Sequence, residues 1–423
     1  MTTFHPTARI VGVVLAALAC LTASPARGQD DGGNKQWRLF EAYRGMLDYR
    51  AELREGLFGE PAKAFLERTA LPQLALPINR GSIDRVRRRM RETLCGESSG
   101  DRKAAEAAMR VVLDFMTRLA RDEQADMLVR VNAMLLVGEL REGDQKPWPA
   151  AAPALAEAVA DVKLAPALRI AAAAGLDRHV EAAAAKLAPT VGPPLVKVVE
   201  TPATDIDPVA AAWLSARCLE MLGTLGPAAP PAAAAAAARI LGDGERPADL
   251  RVRAAAALGR LAGVAKGLDF AGTRDAVLAL ATASLTADLD EAKRWRFREA
   301  AKRPAAADAP GAVQQPAADS ALLPLACRRT AWRLATLADA LLSADGTSGI
   351  GLMAGADRQA AADLAAKLRQ AATAIDATPD EQSIAAALAT LTGGPAPVTP
   401  AAPATDQPGA PAADSPFASP FGN

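Results

Sequence analysis

One histidine, three cysteines and two dense arginine clusters bound the chemistry open to this chain once its first 28 residues are set aside. His5 falls in that leading segment, so His179 is the single histidine that remains. A Ser-His-Asp or Cys-His relay would have to pass through it, and no strand–turn–helix nucleophile elbow accompanies it. Zinc ligation needs several Cys or His at short spacing, whereas Cys95, Cys218 and Cys327 stand far apart. An odd, scattered set is also a poor disulfide framework, so each thiol is expected to pack as a small hydrophobe. Asp205 and Asp207 could open a calcium loop, but the further oxygens and the distal glutamate are missing. Asp207 before Pro208 reads instead as a helix N-cap. Gly242-Asp243-Gly244 is a turn and not a phosphate loop, because no Lys-Ser/Thr follows it. The expectation is a protein that is not an enzyme and holds no cofactor or metal.

The arginines leave two readings open. Arg85, Arg87, Arg88, Arg89 and Arg91 crowd one predicted helix, and Lys293, Arg294, Arg296, Arg298, Lys302 and Arg303 surround Trp295 and Phe297. Such density can hold phosphates, carboxylated polymers or an acidic protein. The ordinary alternative is a solvated face, with Trp295 packed on a neighbour. Interleaved aromatics would suit nucleic acid, but aromatics are only 4% of the chain. Lys and Arg number 48 against 48 Asp and Glu, and losing Arg9 and Arg27 with the leading segment leaves a net −2. Global attraction to nucleic acid is therefore not expected. Arg87, Arg88, Arg294, Trp295 and Arg296 are the candidate contact residues of the two clusters.

The elements that must carry these residues are read from a segment that returns. Arg130-Val131-Asn132-Ala133-Met134-Leu135-Leu136-Val137-Gly138-Glu139-Leu140 reappears as Arg251-Val252-Arg253-Ala254-Ala255-Ala256-Ala257-Leu258-Gly259-Arg260-Leu261. Looser copies begin at Arg169, Ser215 and Cys327, giving intervals of 39, 46, 36 and 76 residues. Alanine dominates and has the best helix propensity, while Val252, Ala255, Leu258 and Leu261 form one apolar stripe. A second helical stretch precedes each copy, at Pro153–Val162, Pro194–Val199 and Ala232–Leu241, and prolines cluster between the stretches. Strand signals are nearly absent. The period and the Arg-Val-Arg-Ala-Ala-Ala-Ala-Leu-Gly-Arg-Leu segment resemble HEAT repeats, in the bacterial HEAT-like form related to the armadillo superhelix. The resemblance covers roughly residues 126–345 and implies an α-α superhelix of stacked helix pairs. Arg130, Arg169 and Arg251 share a slot and should line one edge, either as partner contacts or snorkelling to acids of the next repeat.

The remaining organisation follows from composition. Residues 1–28 read as a secretory signal peptide: Arg9, an apolar run over Ile10–Leu21, and Ala26-Arg27-Gly28 before Gln29. The mature chain is then expected in the periplasm or outside the cell, and acylation at Cys20 is disfavoured because Ala17-Leu18-Ala19 fits a lipoprotein signal badly. No later stretch is apolar enough to cross a membrane. Residues 29–125 form a charged helical cap, with Ala104, Ala108, Val111, Phe115 and Leu119 on one apolar face and Ile83, Val86, Met90 and Leu94 on another. Pro72, Pro77 and Gly81 mark a loop in it. The array spans 126–345 with a low-complexity insertion at 304–320, and further helices fill 346–392. Thr378-Pro379-Asp380-Glu381 is a capping box, and Gly393-Gly394 ends the last helix. From Gly393, 8 prolines in 31 residues describe a disordered tail. The functional expectation is an all-α, exported scaffold binding a protein or peptide on a curved face. The alternative is a binder of an anionic polymer or envelope surface through the Arg85–Arg91 and Lys293–Arg303 clusters.

Overall fold

The computed structural model describes residues 45–94, 102–142, 145–201, 206–265, 267–302, 322–353 and 355–394. Residues 1–28, where a signal peptide is expected, residues 304–320, Cys95, Asp205 and the residues beyond Gly394 lie outside the described residues. Among the described residues every regular element is helical, and the single bridge between extended residues joins Arg141 to Pro147. The protein is all-α.

The chain begins with α1 (45–54) and α2 (Glu60–Phe65), then winds through a π turn at Leu66–Ala70 and 3₁₀ turns at Leu71–Ala75 and Pro77–Ser82. The loop expected at Pro72 and Pro77 is thus a run of tight helical turns, each 3₁₀ turn opened by a proline whose fixed φ suits that position. There follow α3 (Ile83–Leu94), α4 (Arg102–Arg121), α5 (Met127–Gly138), α6 (Ala152–Ala160), α7 (Pro166–Glu200), α8 (Pro208–Leu225), α9 (Pro231–Gly242), α10 (Ala248–Leu261), α11 (Phe270–Lys302), α12 (Leu322–Leu341), α13 (Arg358–Ala377) and α14 (Glu381–Thr392). A kink at Ala183 (φ −150, ψ 40) divides α7 into two helices. The second half starts well before Pro194 and contains Pro189, Pro193 and Pro194. Pro189 and Pro193 lie on the exposed side, where carbonyls deprived of an N–H can meet water.

These helices form pairs: α4 with α5, α6 with the first half of α7, the second half of α7 with α8, α9 with α10, and α11 with α12. Each second helix also packs on the next, in the order α5, α7, α8, α10 and α12. Small residues set that spacing. A Cβ added to Gly138 would stand 2.5 Å from the Cα of Gly175, and one on Gly259 would stand 2.9 Å from the Cα of Ala340. Gly223 faces Ala257 in the same way at 3.3 Å. Gly175 and Ala257 lie six residues past Arg169 and Arg251, whereas Ala340 lies thirteen past Cys327. The last copy therefore docks two helical turns out of the register that its sequence alignment suggests.

Turn chemistry repeats as strictly as the helices. Asp122, Asp161 and Asp243 each follow a first helix and accept an N–H two residues on, from Gln124, Lys163 and Glu245, at 3.0, 3.0 and 3.1 Å. Asp126 and Asp207 then cap α5 and α8, Asp207 accepting from Val209 and Ala210 as its sequence position implies. The box expected at Thr378 is displaced: Asp380 is the cap of α14, accepting from Ser383 at 2.7 Å. Gly393 ends that helix at φ +70, the left-handed backbone that glycine tolerates. On α4 the buried centre runs through Ala108, Val112 and Met116, with Val111, Phe115 and Leu119 only partly buried beside it. The expected apolar face is therefore one residue out of phase.

Candidate functional site

The recurring arginine has a specific local task. Arg130, Arg169 and Arg251 each send Nε back ten residues to a carbonyl in the last turn of the preceding helix: Ala120 at 3.0 Å, Val159 at 3.0 Å and Leu241 at 2.9 Å. The last carbonyls of a helix have no intrahelical partner, and a cation there also meets the negative end of the helix dipole. Arg169 is 1% exposed and Arg130 8%, with Arg251 half-buried. The three do share one slot. The acceptor is a backbone carbonyl of their own helix pair, and the acids of the next repeat play no part in this bond. Ser215 occupies the slot in α8 and is buried; on α12 the two-turn register shift takes Cys327, also buried, out of the equivalent position.

A different set of side chains forms a surface across the second helices. Trp213 of α8 and Trp332 of α12 are 37% and 40% exposed, unusual for so large an apolar group. Arg217 lies over the Trp213 ring at 5.6 Å, and Arg253 of α10 lies over Trp332 at 5.4 Å. Glu220 joins the two arginines, pairing with Arg217 at 2.8 Å and also with Arg253. Arg217 reaches Asp177 of α7 at 3.3 Å as well. Burial raises the Asp177 carboxyl above its ordinary range, against the pull of Arg217. Burial likewise lowers the Arg253 guanidinium, and Arg217 adds to that effect. Beside this stripe, the buried carboxylate of Asp288 on α11 accepts from Thr330 at 2.6 Å and from Arg333 at 3.1 Å, while Arg333 also binds Asp249 at 2.7 Å. One aromatic-arginine ladder thus spans α7, α8, α10 and α12.

The sequence-derived clusters divide on the surface. On α3, Arg85, Arg88 and Arg89 are exposed, whereas Arg87 and Arg91 turn toward Glu139 at the end of α5. Arg88 makes only a 4.0 Å pair with Asp84 one turn back. On α11, Arg294 is exposed and donates to the Asp290 carbonyl at 3.1 Å, and Trp295 is half-buried. Arg296 lies on the same helix, but its side chain falls outside the described residues. The two clusters sit on helices far apart in the packing order. Trp213, Arg217, Trp332 and Arg253 escaped notice because their spacing joins them only after the second helices stack.

The reactive groups are enclosed. Cys218 and Cys327 are free and buried, and burial pushes the Cys218 thiol up to about 12. His179 is 1% exposed and occupies the slot held by Leu140 and Leu261 in other copies. Burial pulls its imidazole down to about 4, opposed by the Gly138 and Trp148 backbone and reinforced by Arg178. It is therefore neutral near pH 7. Among the described residues no group of three or more metal-ligating side chains comes together, and no helix is long and apolar enough to cross a membrane. Comparison of the chain with protein-family models, with characterised proteins and with solved structures finds no match.

Proposed function

We propose that this chain is a non-catalytic interaction scaffold whose helix pairs stack into a HEAT-like superhelix, and that a protein segment docks across its second helices with Trp213 and Trp332 as anchors. The observation that carries this reading is the pair of tryptophans left 37% and 40% exposed, each beneath an arginine. Trp and Arg are the residues most enriched at the energetic centres of protein interfaces. Glu220 holds both arginines, so the rings are pre-oriented and little side-chain freedom remains to be lost on docking. The packing order supports the stacked form: among the described residues no element before residue 138 packs extensively on one beyond residue 200. Stacking with a small rotation per pair generates an extended curved face, the usual binding surface of such arrays.

The test is a double substitution, Trp213→Ala with Trp332→Ala, in the full chain. Helical signal and melting temperature should persist, while a partner retained by the unaltered protein at high salt is lost. Truncating one such anchor removes about 2 kcal/mol or more, some thirtyfold in affinity. A partner held equally by both proteins would eliminate the tryptophan platform. A second reading, binding of an anionic polymer, rests on exposed Arg85, Arg88, Arg89 and Arg294. It requires release of the partner as salt rises, since exposed charges are screened.

A further inference from the structure

A second cluster of charged side chains lines a cavity, remote in character from the tryptophan ladder. It lies where α3, the end of α5, residues 139–142 and 145–147, and the first half of α7 converge. Glu139, 8% exposed, closes α5, and its Oε2 stands 3.4 Å from Arg87 Nε and 3.8 Å from Arg91 Nη1. The following turn is fixed by Glu142 N donating to the Lys146 carbonyl at 2.8 Å and Trp148 N donating to the Leu140 carbonyl at 2.9 Å. Trp148 is 1% exposed and anchors the segment that leads into the next helix. Gln145 sits in this turn at φ +65, the one non-glycine residue with positive φ among the described residues. Backbone held in that region by its surroundings is a recurrent feature of binding sites. Gln145 accepts from Arg141 Nη1 at 3.4 Å.

Between this turn and α7 is a cavity of about 380 Å³, lined by Glu139, Arg141, Gln145, Arg178 and Glu181 among others. Arg178 Nε is buried with no hydrogen-bond partner, whereas Arg87 Nε and Glu139 Oε2, without hydrogen-bond geometry, are paired with each other as ions at 3.4 Å. Orphaned charged groups of this kind are expensive unless something satisfies them. Burial lowers the Arg178 guanidinium; Glu139 alone opposes this, while Arg141, Arg87 and Arg91 push the same way. Four guanidiniums therefore surround one buried carboxylate. With Glu181 at the rim and Glu92, which pairs with Arg91 at 3.8 Å, counted as well, these described side chains leave an excess of one positive charge.

We infer that this cavity is a receptor for a small organic phosphate monoester, with Arg141 and Arg178 as the phosphate ligands and Arg87 and Arg91 neutralising Glu139 beside them. A phosphate monoester carries at least one full negative charge near neutrality, which offsets that excess, and its anionic oxygens can accept from the unpartnered Arg178 Nε. Its several oxygens suit the planar forks of arginine. A water occupies about 30 Å³ of liquid, so the cavity has room for an organic group beyond the phosphate.

Calorimetric titration of the full chain with glycerol phosphate, inorganic phosphate and succinate, in buffer free of other oxyanions, tests the inference. Glycerol phosphate should bind at one saturable site, more tightly than inorganic phosphate and far more tightly than succinate. Arg178→Gln should weaken it by at least about tenfold, the usual consequence of losing a charged hydrogen bond. Arg141→Gln, outside any helix, should do the same and guards against misfolding of the first variant. Arg88→Gln, on the exposed side of α3, should bind as the unaltered protein does. The inference is overturned if neither phosphate saturates, if succinate binds as well, or if Arg88→Gln weakens binding as much as Arg178→Gln. Tighter binding to phosphatidic acid vesicles than to glycerol phosphate would overturn the small-molecule ligand in favour of a lipid headgroup.

Discussion

Replacing Arg169 by leucine keeps a long apolar stem in the core but withdraws the donor that closes α6. The lost bond is the 3.0 Å contact from Nε to the Val159 carbonyl, made by a side chain 1% exposed. A hydrogen bond from a charged group contributes about 1.5–3 kcal/mol, and the acceptor left behind adds its own desolvation. Leucine returns part of this by burying apolar surface and by sparing the guanidinium its transfer from water. A net loss of about 2 kcal/mol follows. With roughly 300 ordered residues the unfolding entropy is about 0.6 kcal/mol per degree, so the midpoint should fall by about 3 °C if the array melts as one unit. If it melts in segments, the step containing α6 and α7 should fall further and separate from the rest. Melting followed by circular dichroism reads either outcome. Arg130→Leu should behave similarly, half-buried Arg251→Leu should cost less, and exposed Arg88→Leu should change nothing. An Arg169→Leu midpoint within about 0.5 °C of the unaltered protein would refute the capping role.

Other perturbations test the remaining elements. His179 is held at about 4 by burial against 6.5 in the unfolded chain, so the unfolded state takes up protons first as pH falls. Its contribution is complete above about pH 6.5 and is lost between 6.5 and 4, up to about 3 kcal/mol. His179→Leu should flatten that part of a plot of urea midpoint against pH; parallel curves for the two proteins would contradict it. Gly138→Ala forces a methyl against the Gly175 backbone at 2.5 Å and should destabilise by about 1–3 kcal/mol, whereas Gly242→Ala, with open space around it, should be neutral or slightly stabilising. Mass spectrometry of the native protein should find Gln29 at its N-terminus, and an acylated Cys20 would show a lipoprotein in place of cleavage after Gly28.

Much of the helical architecture was legible because it rests on local signals. Alanine-rich stripes, the Asp207-Pro208 start and the Gly393 stop each act within a turn or two, and each appears where its residues stand. The shared arginine slot was legible as a repeat but not as a cap, since its acceptor is a backbone carbonyl that no side-chain pattern announces. Asp122, Asp161 and Asp243 recur eight residues before the three arginines, a signal present in the sequence and overlooked amid the stronger helical period. The α4 face shifted by one residue because Met109, Val112 and Met116 offered an equally apolar stripe beside the expected one. Prolines misled in α7 because exposed interior positions tolerate them. Neither candidate site could be read along the chain: Arg87 and Arg178 are ninety-one positions apart, and Trp213 and Trp332 meet one surface only after three second helices stack.

Small-angle scattering of residues 29–394 tests the stacked-pair architecture most directly. A compact globule of about 366 residues has a radius of gyration near 21 Å. An array of helix pairs in chain order should give a markedly larger radius and a skewed distance distribution with a long tail. A radius close to about 21 Å with a symmetric, bell-shaped distribution would contradict the superhelical scaffold.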